Sequence, residues 1–404
     1  MLLSAIVLGV ALIVVPSGDA VDAETHAGVA VPDAYPLWDF EKTPPAAAET
    51  PLLDGVRFEV VKRREIEADG YNWLHGMACV WHEGLLYTFW GHNKGSENTP
   101  TEVAQGRHSA DGGRTWSPVW MIAPHTESEG RSHGVFLSHE GTLWAFLARF
   151  GEAFGNLRTE AYVLNSEPAD AEDADLDWEL RGTIIDGFWP MDEPIRMGDG
   201  NWIMAGMDIP DGHRWAWPAV AISRGDDFTA WERILLPVPE DMRNIWGEST
   251  VLVDEGEILV IIRARGQHPN AQVSRSLDFG RTWSDVQWTN LPMPCTKAYA
   301  GHLSTGQRYL AGTTVRGHGN RRTPLTIAVS KPGEQVFSQV FRIRDAVFPQ
   351  GPGESAESGR LSYPYAVEHD GYLYVVYSNC GGRGGNRNSG EMAVIPISAL
   401  AVPE

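Results

Sequence analysis

Basic side chains are scarce in this 404-residue chain: 32 Lys and Arg stand against 53 Asp and Glu, a formal net charge of −21. Such a surface repels polyanions, which excludes nucleic acid and anionic lipid surfaces as partners. Cysteine is nearly absent. Cys79, Cys295 and Cys380 are too few and too widely spaced for a disulfide framework or a metal knuckle, and they read as small buried apolar residues. Histidines occur without H-x-H or H-E-x-x-H spacing, so neither a metal nor another cofactor is expected. No long amphipathic helix pattern appears after residue 30. Beyond the N-terminus no apolar run approaches the roughly 20 residues of a membrane span. The glycine-rich stretch Cys380 to Gly390 does not link a strand to a helix, which excludes a phosphate loop and leaves a rim loop carrying Arg383 and Arg387.

What the chain has in quantity is Gly (43), Pro (26) and Trp (16), the composition of many short strands and tight turns. Residues 1–23 read as a signal peptide, with an apolar run from Leu2 to Pro16 and small residues before Ala20 and Ala23. The mature protein is therefore expected in a periplasm or outside the cell. Residues 24–55, rich in Ala and Pro, read as a wrap or linker.

The pattern S-x-D-x-G-x-T-W occurs at Ser109 to Trp116 and again at Ser276 to Trp283. This Asp-box is a hairpin turn in which Asp accepts backbone N–H groups, Gly takes positive φ and Trp packs beneath. Asp111 and Asp278 are thus read as turn residues, not catalysts. A wider unit, an apolar strand, a Gly turn and a second apolar strand, recurs six times, beginning at His75, His133, Glu193, Glu248, Tyr299 and Tyr363. Its intervals suit four-stranded blades, so residues 56–404 are predicted to form an all-β, six-bladed β-propeller. Blade 3 carries a decayed turn at Ser223, Asp226 and Trp231. Blade 6 runs out after its third strand, and Val56 to Arg63 is expected to supply the fourth and close the ring.

Inner strands begin, and second strands end, at one face of a propeller. That rule converges His75, His133, Asp192 with Glu193, Glu248, Tyr299 and Tyr363 with His92, Arg149, Asp208, Arg263, Arg316, His318, Arg321 or Arg322, and Asn379. Asp192 and Glu193 suit either paired acid chemistry or a turn that locks blades.

The Asp-boxes, the six blades, and an Arg before "PLTIAVS" followed by "SYPYAVEHDGYLYVVYS" resemble the sialidase superfamily, in particular its BNR-repeat branch, over about residues 65 to 400. The resemblance implies a Tyr nucleophile made basic by Glu, an acidic proton donor, and three arginines on a substrate carboxylate. Residue by residue, it places Tyr363 as nucleophile, Glu248 as its partner and Arg263 as the second arginine. Arg322, or alternatively Arg321 or Arg316, is the third. Two positions depart from the pattern. "HGM" puts His75 where the first arginine is expected. The loop before the first Asp-box offers Glu97 and Glu102 but no Asp, leaving Glu97, Glu102, Asp192 or His75 as the acid. His92 and His133 are expected to contact substrate, with Asp192, Glu193 and Tyr299. The expected function is hydrolysis of a terminal acidic sugar of a glycan with retention. A lyase acting on uronic acids and a non-catalytic glycan-binding propeller are the alternatives.

Overall fold

The apolar runs flanking each Gly turn form antiparallel hairpins in a computed structural model, which describes residues 34–403 apart from 169, 171–172, 211–215, 244, 266–267, 294–295, 318–320 and 350. The expected signal peptide, Cys295 and His318 lie outside the described residues. Six sheets follow one another along the chain. Blade 1 comprises Trp73–His82, Leu85–Asn93, Val103–Ser109 and Trp120–Ala123, in that order from axis to rim. Blades 2, 4 and 5 repeat the order from inner strands Gly130–His139, Ile245–Asp254 and Tyr299–His302. In blade 3 the inner strand is split into Phe188–Pro190 and Ile195–Arg196, both paired with Trp202–Asp208. Blade 6 begins at Leu361–His369 and ends on the segment Arg57–Lys62, which pairs with Ser389–Pro396. That pairing closes the six-bladed propeller, as the sequence predicts. No helix among the described residues is long and apolar enough to cross a membrane.

Between blades the core is aromatic: Phe89 and Phe136 meet edge to face at 4.5 Å, joining blades 1 and 2. Cys79 and Cys380 are buried free thiols. Residues 34–55 run across blades 4 and 5, where Leu37 and Trp38 are fully covered and bridges form from Tyr35 to Thr289 and from Trp38 to Phe337.

Both Asp-boxes join third to fourth strands and share one hydrogen-bond pattern. Asp111 Oδ1 accepts the amides of Arg114 and Thr115, both at 2.9 Å, while Oδ2 accepts the Thr115 hydroxyl at 2.7 Å. Asp278 does the same for Thr282 at 2.9 and 2.6 Å. Donation from Thr282 draws the Asp278 carboxyl down to about 2, so it is ionised and occupied by the turn. At the matching strand ends of blades 3 and 5 the serine keeps a backbone role: Ser223 and Ser330 accept the amides of Trp202 and Arg308 at 2.8 and 2.9 Å.

One irregularity positions the site. The ladder between inner and second strand slips at His75/Ala78, Arg131/Gly134, Ile245/Ser249 and Ser362/Tyr365, and blade 3 breaks at the corresponding place. A bulge inserts unpaired residues and re-aims their side chains. Here the bulges hold Gly76, His133, Glu248 and Tyr363, and the break holds Asp192.

Candidate active site

Tyr363 takes φ +55°, a left-handed conformation uncommon for a bulky residue. The turn it makes carries its hydroxyl across to blade 4, where it donates to Glu248 Oε1. Gly247, at φ +83°, performs the equivalent reversal before Glu248, and a Cβ there would lie 2.9 Å from backbone atoms of Ala216 and Trp217. The other Glu248 oxygen is ion-paired with Arg263 Nη1. All three side chains are buried, with Tyr363 8 % exposed and Glu248 2 %. A phenol, a carboxylate and a guanidinium are therefore linked through one carboxyl group, the arrangement that gives a phenol a proton acceptor.

His75 packs its ring 3.8 Å from that of Tyr363, and His133 meets Tyr363 edge to face at 6.0 Å. Gly76 creates this room: it sits at φ +66°, and a Cβ would fall 2.0 Å from the His133 ring. Trp189 fixes His133 from blade 3 by donating to its carbonyl at 3.0 Å and packing its ring 4.9 Å away. Burial holds His133 down to about 3 and His75 well below its ordinary value. His133 and the cations Arg322, Arg263 and Lys297 push His75 further. Both imidazoles are uncharged at neutral pH.

Arg322 places its guanidinium 5.8 Å from the centre of the Tyr363 ring. The structure thus brings together Tyr363, Glu248, Arg263, Arg322, His75 and His133. It does not bring the rest. Arg316 turns to the N-terminal segment, donating to the Pro44 carbonyl at 2.9 Å and pairing with Glu49 at 3.2 Å. His92 stacks on Tyr71 at 4.0 Å and shares a 2.7 Å hydrogen bond with Gln105, with burial lowering it to about 4. Arg149 is held by Glu129 and Glu160, Asp208 by Arg233, and Asn379 by Glu391. Second strands stand one layer away from the axis, so their ends are captured by neighbouring loops unless a long side chain reaches inward, as Arg263 does.

Asp192 performs the blade-locking role. Its Oδ2 accepts the Thr250 hydroxyl at 2.6 Å and the Val251 amide at 2.7 Å, its Oδ1 accepts the Glu193 amide at 3.0 Å, and Thr250 in turn accepts the Ala300 amide. Blades 3, 4 and 5 are pinned by that one carboxylate. Burial raises it to about 6 against these donors. Glu193 and Tyr299 belong to a deeper layer, where Tyr299 packs 4.3 Å from Tyr365 and burial raises the Glu193 carboxyl to about 8.

Residues 84–375 match the family profile of the BNR repeat-like domain. The chain belongs to that family. No curated protein matches it. Among solved structures, this BNR repeat-like protein is similar to a protein of unknown function from Dyadobacter fermentans (14 % identity, 85 % of this chain and 99 % of that one, TM-score 0.62). It is also similar to the Trypanosoma rangeli sialidase (13 % identity, TM-score 0.63), matching 86 % of this chain but only 60 % of that one. The endosialidase of phage phi92 is a third (11 % identity, 85 % of this chain and 69 % of that one, TM-score 0.61). At these identities the likeness establishes the fold.

The four residues open as the acid are distinguished by access. Asp192 is fully buried and accepts three hydrogen bonds that lock blades together, and His75 is neutral. Glu102 is fully buried, accepting the Asn98 amide, and burial raises it to about 8. Glu97 is partly exposed at the rim, accepting Trp73 Nε1 at 3.2 Å and the Asn386 amide, and Trp73 packs 6.2 Å from His75.

Sequence reasoning missed Lys297. It is 5 % exposed, with its ammonium 5.9 Å from the centre of the Tyr363 ring, and it lines a small cavity with Gly76, Met77, His133, Met191 and Tyr363. The signal was its spacing. Lys297 and Tyr299 stand two apart in blade 5 as Tyr363 and Tyr365 do in blade 6, and the pairs Lys297 with Tyr363 and Tyr299 with Tyr365 are the ones that meet. Among the described residues no cluster of His, Cys, Asp and Glu is arranged to hold a metal ion.

Proposed function

We propose that this protein is an exported glycoside hydrolase that removes a terminal acidic sugar with retention, using Tyr363 as nucleophile. The observation that carries the reading is the donation of the Tyr363 hydroxyl to Glu248. In the first step the Tyr363 oxygen bonds to the anomeric carbon while its proton passes to Glu248, and the glycosidic bond breaks as the leaving oxygen takes a proton from Glu97. Glu97 then draws a proton from water, whose oxygen bonds to the anomeric carbon as the bond to Tyr363 breaks and Glu248 returns its proton to the departing phenol oxygen, restoring all three groups. A neutral phenol suits a sugar bearing a carboxylate, because a carboxylate nucleophile would be repelled. Arg322 beside Tyr363 provides the attraction.

The test is incubation with a panel of acidic oligosaccharides followed by mass spectrometry. Products that gain water, lost in Tyr363→Phe, support the hydrolase. Turnover that survives Tyr363→Phe unchanged refutes it. The Glu97 assignment has its own readout: Glu97→Gln is expected to lose natural linkages while still cleaving aryl glycosides whose leaving group needs no proton. A glycan-binding propeller without turnover is the second reading, favoured by the small cavity beside Tyr363, whose lining among the described residues holds no carboxylic acid. Tight binding of an acidic glycan without product would establish it.

A further inference from the structure

Lys297 lies in a part of the chain that no ion pair explains. Among the described residues its ammonium makes no hydrogen bond and no salt bridge, although the side chain is 5 % exposed. Its surroundings are the rings of Tyr299 and Tyr363, at 5.7 and 5.9 Å, and the fields of Asp192 and Glu248. Ring faces and distant carboxylates compensate only part of the hydration a buried ammonium gives up. Both carboxylates are already engaged, Asp192 by Thr250 and Val251 and Glu248 by Tyr363 and Arg263. The cation nonetheless opens onto the cavity that Tyr363 lines.

A second unsatisfied group stands beside the same ring. The Asn388 amide nitrogen donates to the Leu74 carbonyl at 2.6 Å, which fixes its orientation, and it faces His75 Nδ1 at 3.2 Å. Nδ1 therefore accepts from Asn388, with the Ser378 hydroxyl at 3.1 Å a second group able to donate to it, and the imidazole proton resides on Nε2. That Nε2–H has no partner, and His75 is 4 % exposed. An ammonium and a neutral N–H donor, each buried and unmatched, flank one phenol.

We propose that Lys297, assisted by the Nε2–H of His75, binds the carboxylate of the substrate and makes the site select sugar acids over their neutral counterparts. The inference rests on the hydrolase reading for the position of the sugar but not for its own test. Arg263 is committed to Glu248, whereas Lys297 forms no ion pair among the described residues and offers its positive charge to an incoming anion. A lysine in this role is a point charge without the planar fork of arginine, so it accommodates carboxylates presented at varied angles. The occupant is thus a carboxylated monosaccharide unit, with either a ulosonic or a uronic acid able to supply the group.

The experiment measures calorimetric binding of N-acetylneuraminic acid, its methyl ester, glucuronic acid and glucose to the full chain in the Tyr363→Phe background, where turnover does not intervene. The background protein is expected to prefer at least one acid over its neutral counterpart by tenfold or more. Lys297→Met is expected to reduce that preference severalfold while leaving binding of the neutral sugar unchanged, and Lys297→Arg to retain it. Thermal melts confirm that each variant is folded. Preference for the acid undiminished in folded Lys297→Met overturns the role of Lys297 without touching the nucleophile. Absence of any acid preference in the background protein overturns the carboxylate subsite as a whole, whereas hydrolysis that survives Tyr363→Phe removes only the catalytic reading.

Discussion

Glu102 offers a quantitative test of how the interior beside the site is built. Its carboxyl is fully buried, one oxygen accepts the Asn98 amide, and the other has no partner. Burial lifts it from 4.5 to about 8. A carboxyl raised in the folded state favours the protonated form there, so its contribution to stability is complete below the unfolded value and is lost as pH climbs toward the folded one. Over that interval each pH unit removes about 1.4 kcal/mol. Between about pH 5 and about pH 7.5 the wild type should lose roughly 3 kcal/mol that a neutral side chain would keep. Glu102→Gln supplies that neutral side chain at nearly the same volume. The assay is chemical denaturation of both proteins at the two pH values, reading the difference between them so that the other titrating groups cancel. Glu102→Gln should gain about 3 kcal/mol on the wild type as pH rises through this range. A difference that stays constant with pH would refute the idea that Glu102 is held protonated.

Four further outcomes follow from the geometry. Arg316→Ala should leave turnover and substrate affinity unchanged, because its partners are Pro44 and Glu49, whereas Arg322→Ala should raise KM tenfold or more; initial-rate kinetics compare them. Gly134→Ala should destabilise the fold by more than about 3 kcal/mol, since a Cβ would lie 1.8 Å from the Phe146 carbonyl oxygen, and soluble yield with thermal melting reports it. His92 and His133 are lowered to about 4 and about 3, so their neutral forms support the fold above about pH 6.5 and that support is lost as pH falls. Melting temperature should accordingly decline less steeply below pH 6.5 in His92→Gln than in the wild type. Asp278→Ala should lower the melting temperature while kcat stays at its original value, because that carboxylate serves only its turn.

The parts legible in the sequence are those a local pattern encodes. Ser, Asp, Gly and Trp at fixed offsets define a turn by its own hydrogen bonds, and the alternation around Gly turns reports inner strands, so six blades and their closure by Arg57–Lys62 could be read directly. Tyr363, Glu248 and Arg263 were legible because they stand at the mouths of strands already located. Lys297 was not, since aligning blade 5 on its first alternating residue selected Tyr299, one layer too deep. The deeper cause is the bulging of the inner strands. A slip such as that between Ser362 and Tyr365 leaves no mark on apolar alternation, yet it decides which side chain points at the axis. Arg316 and Arg149 show the complementary limit: the partners that capture them, Glu49 in a single 3-10 turn and Glu129 in a loop, lie in connecting segments whose paths no periodicity specifies.

The closing strand makes the two ends of the propeller depend on each other. Arg57 pairs with Val394 and Phe58 with Ala393, contacts that span most of the chain and can form only after the last blade exists. Until then two raw sheet edges are open at once, the free side of Ser389–Pro396 and the unpaired segment Arg57–Lys62. Each is the natural complement of the same edge in a second molecule. Ring closure is therefore a race between a slow encounter within one chain and a concentration-dependent one between two. Crowding of newly made chains would tilt that race toward exchanged dimers whose every blade is nonetheless correctly paired.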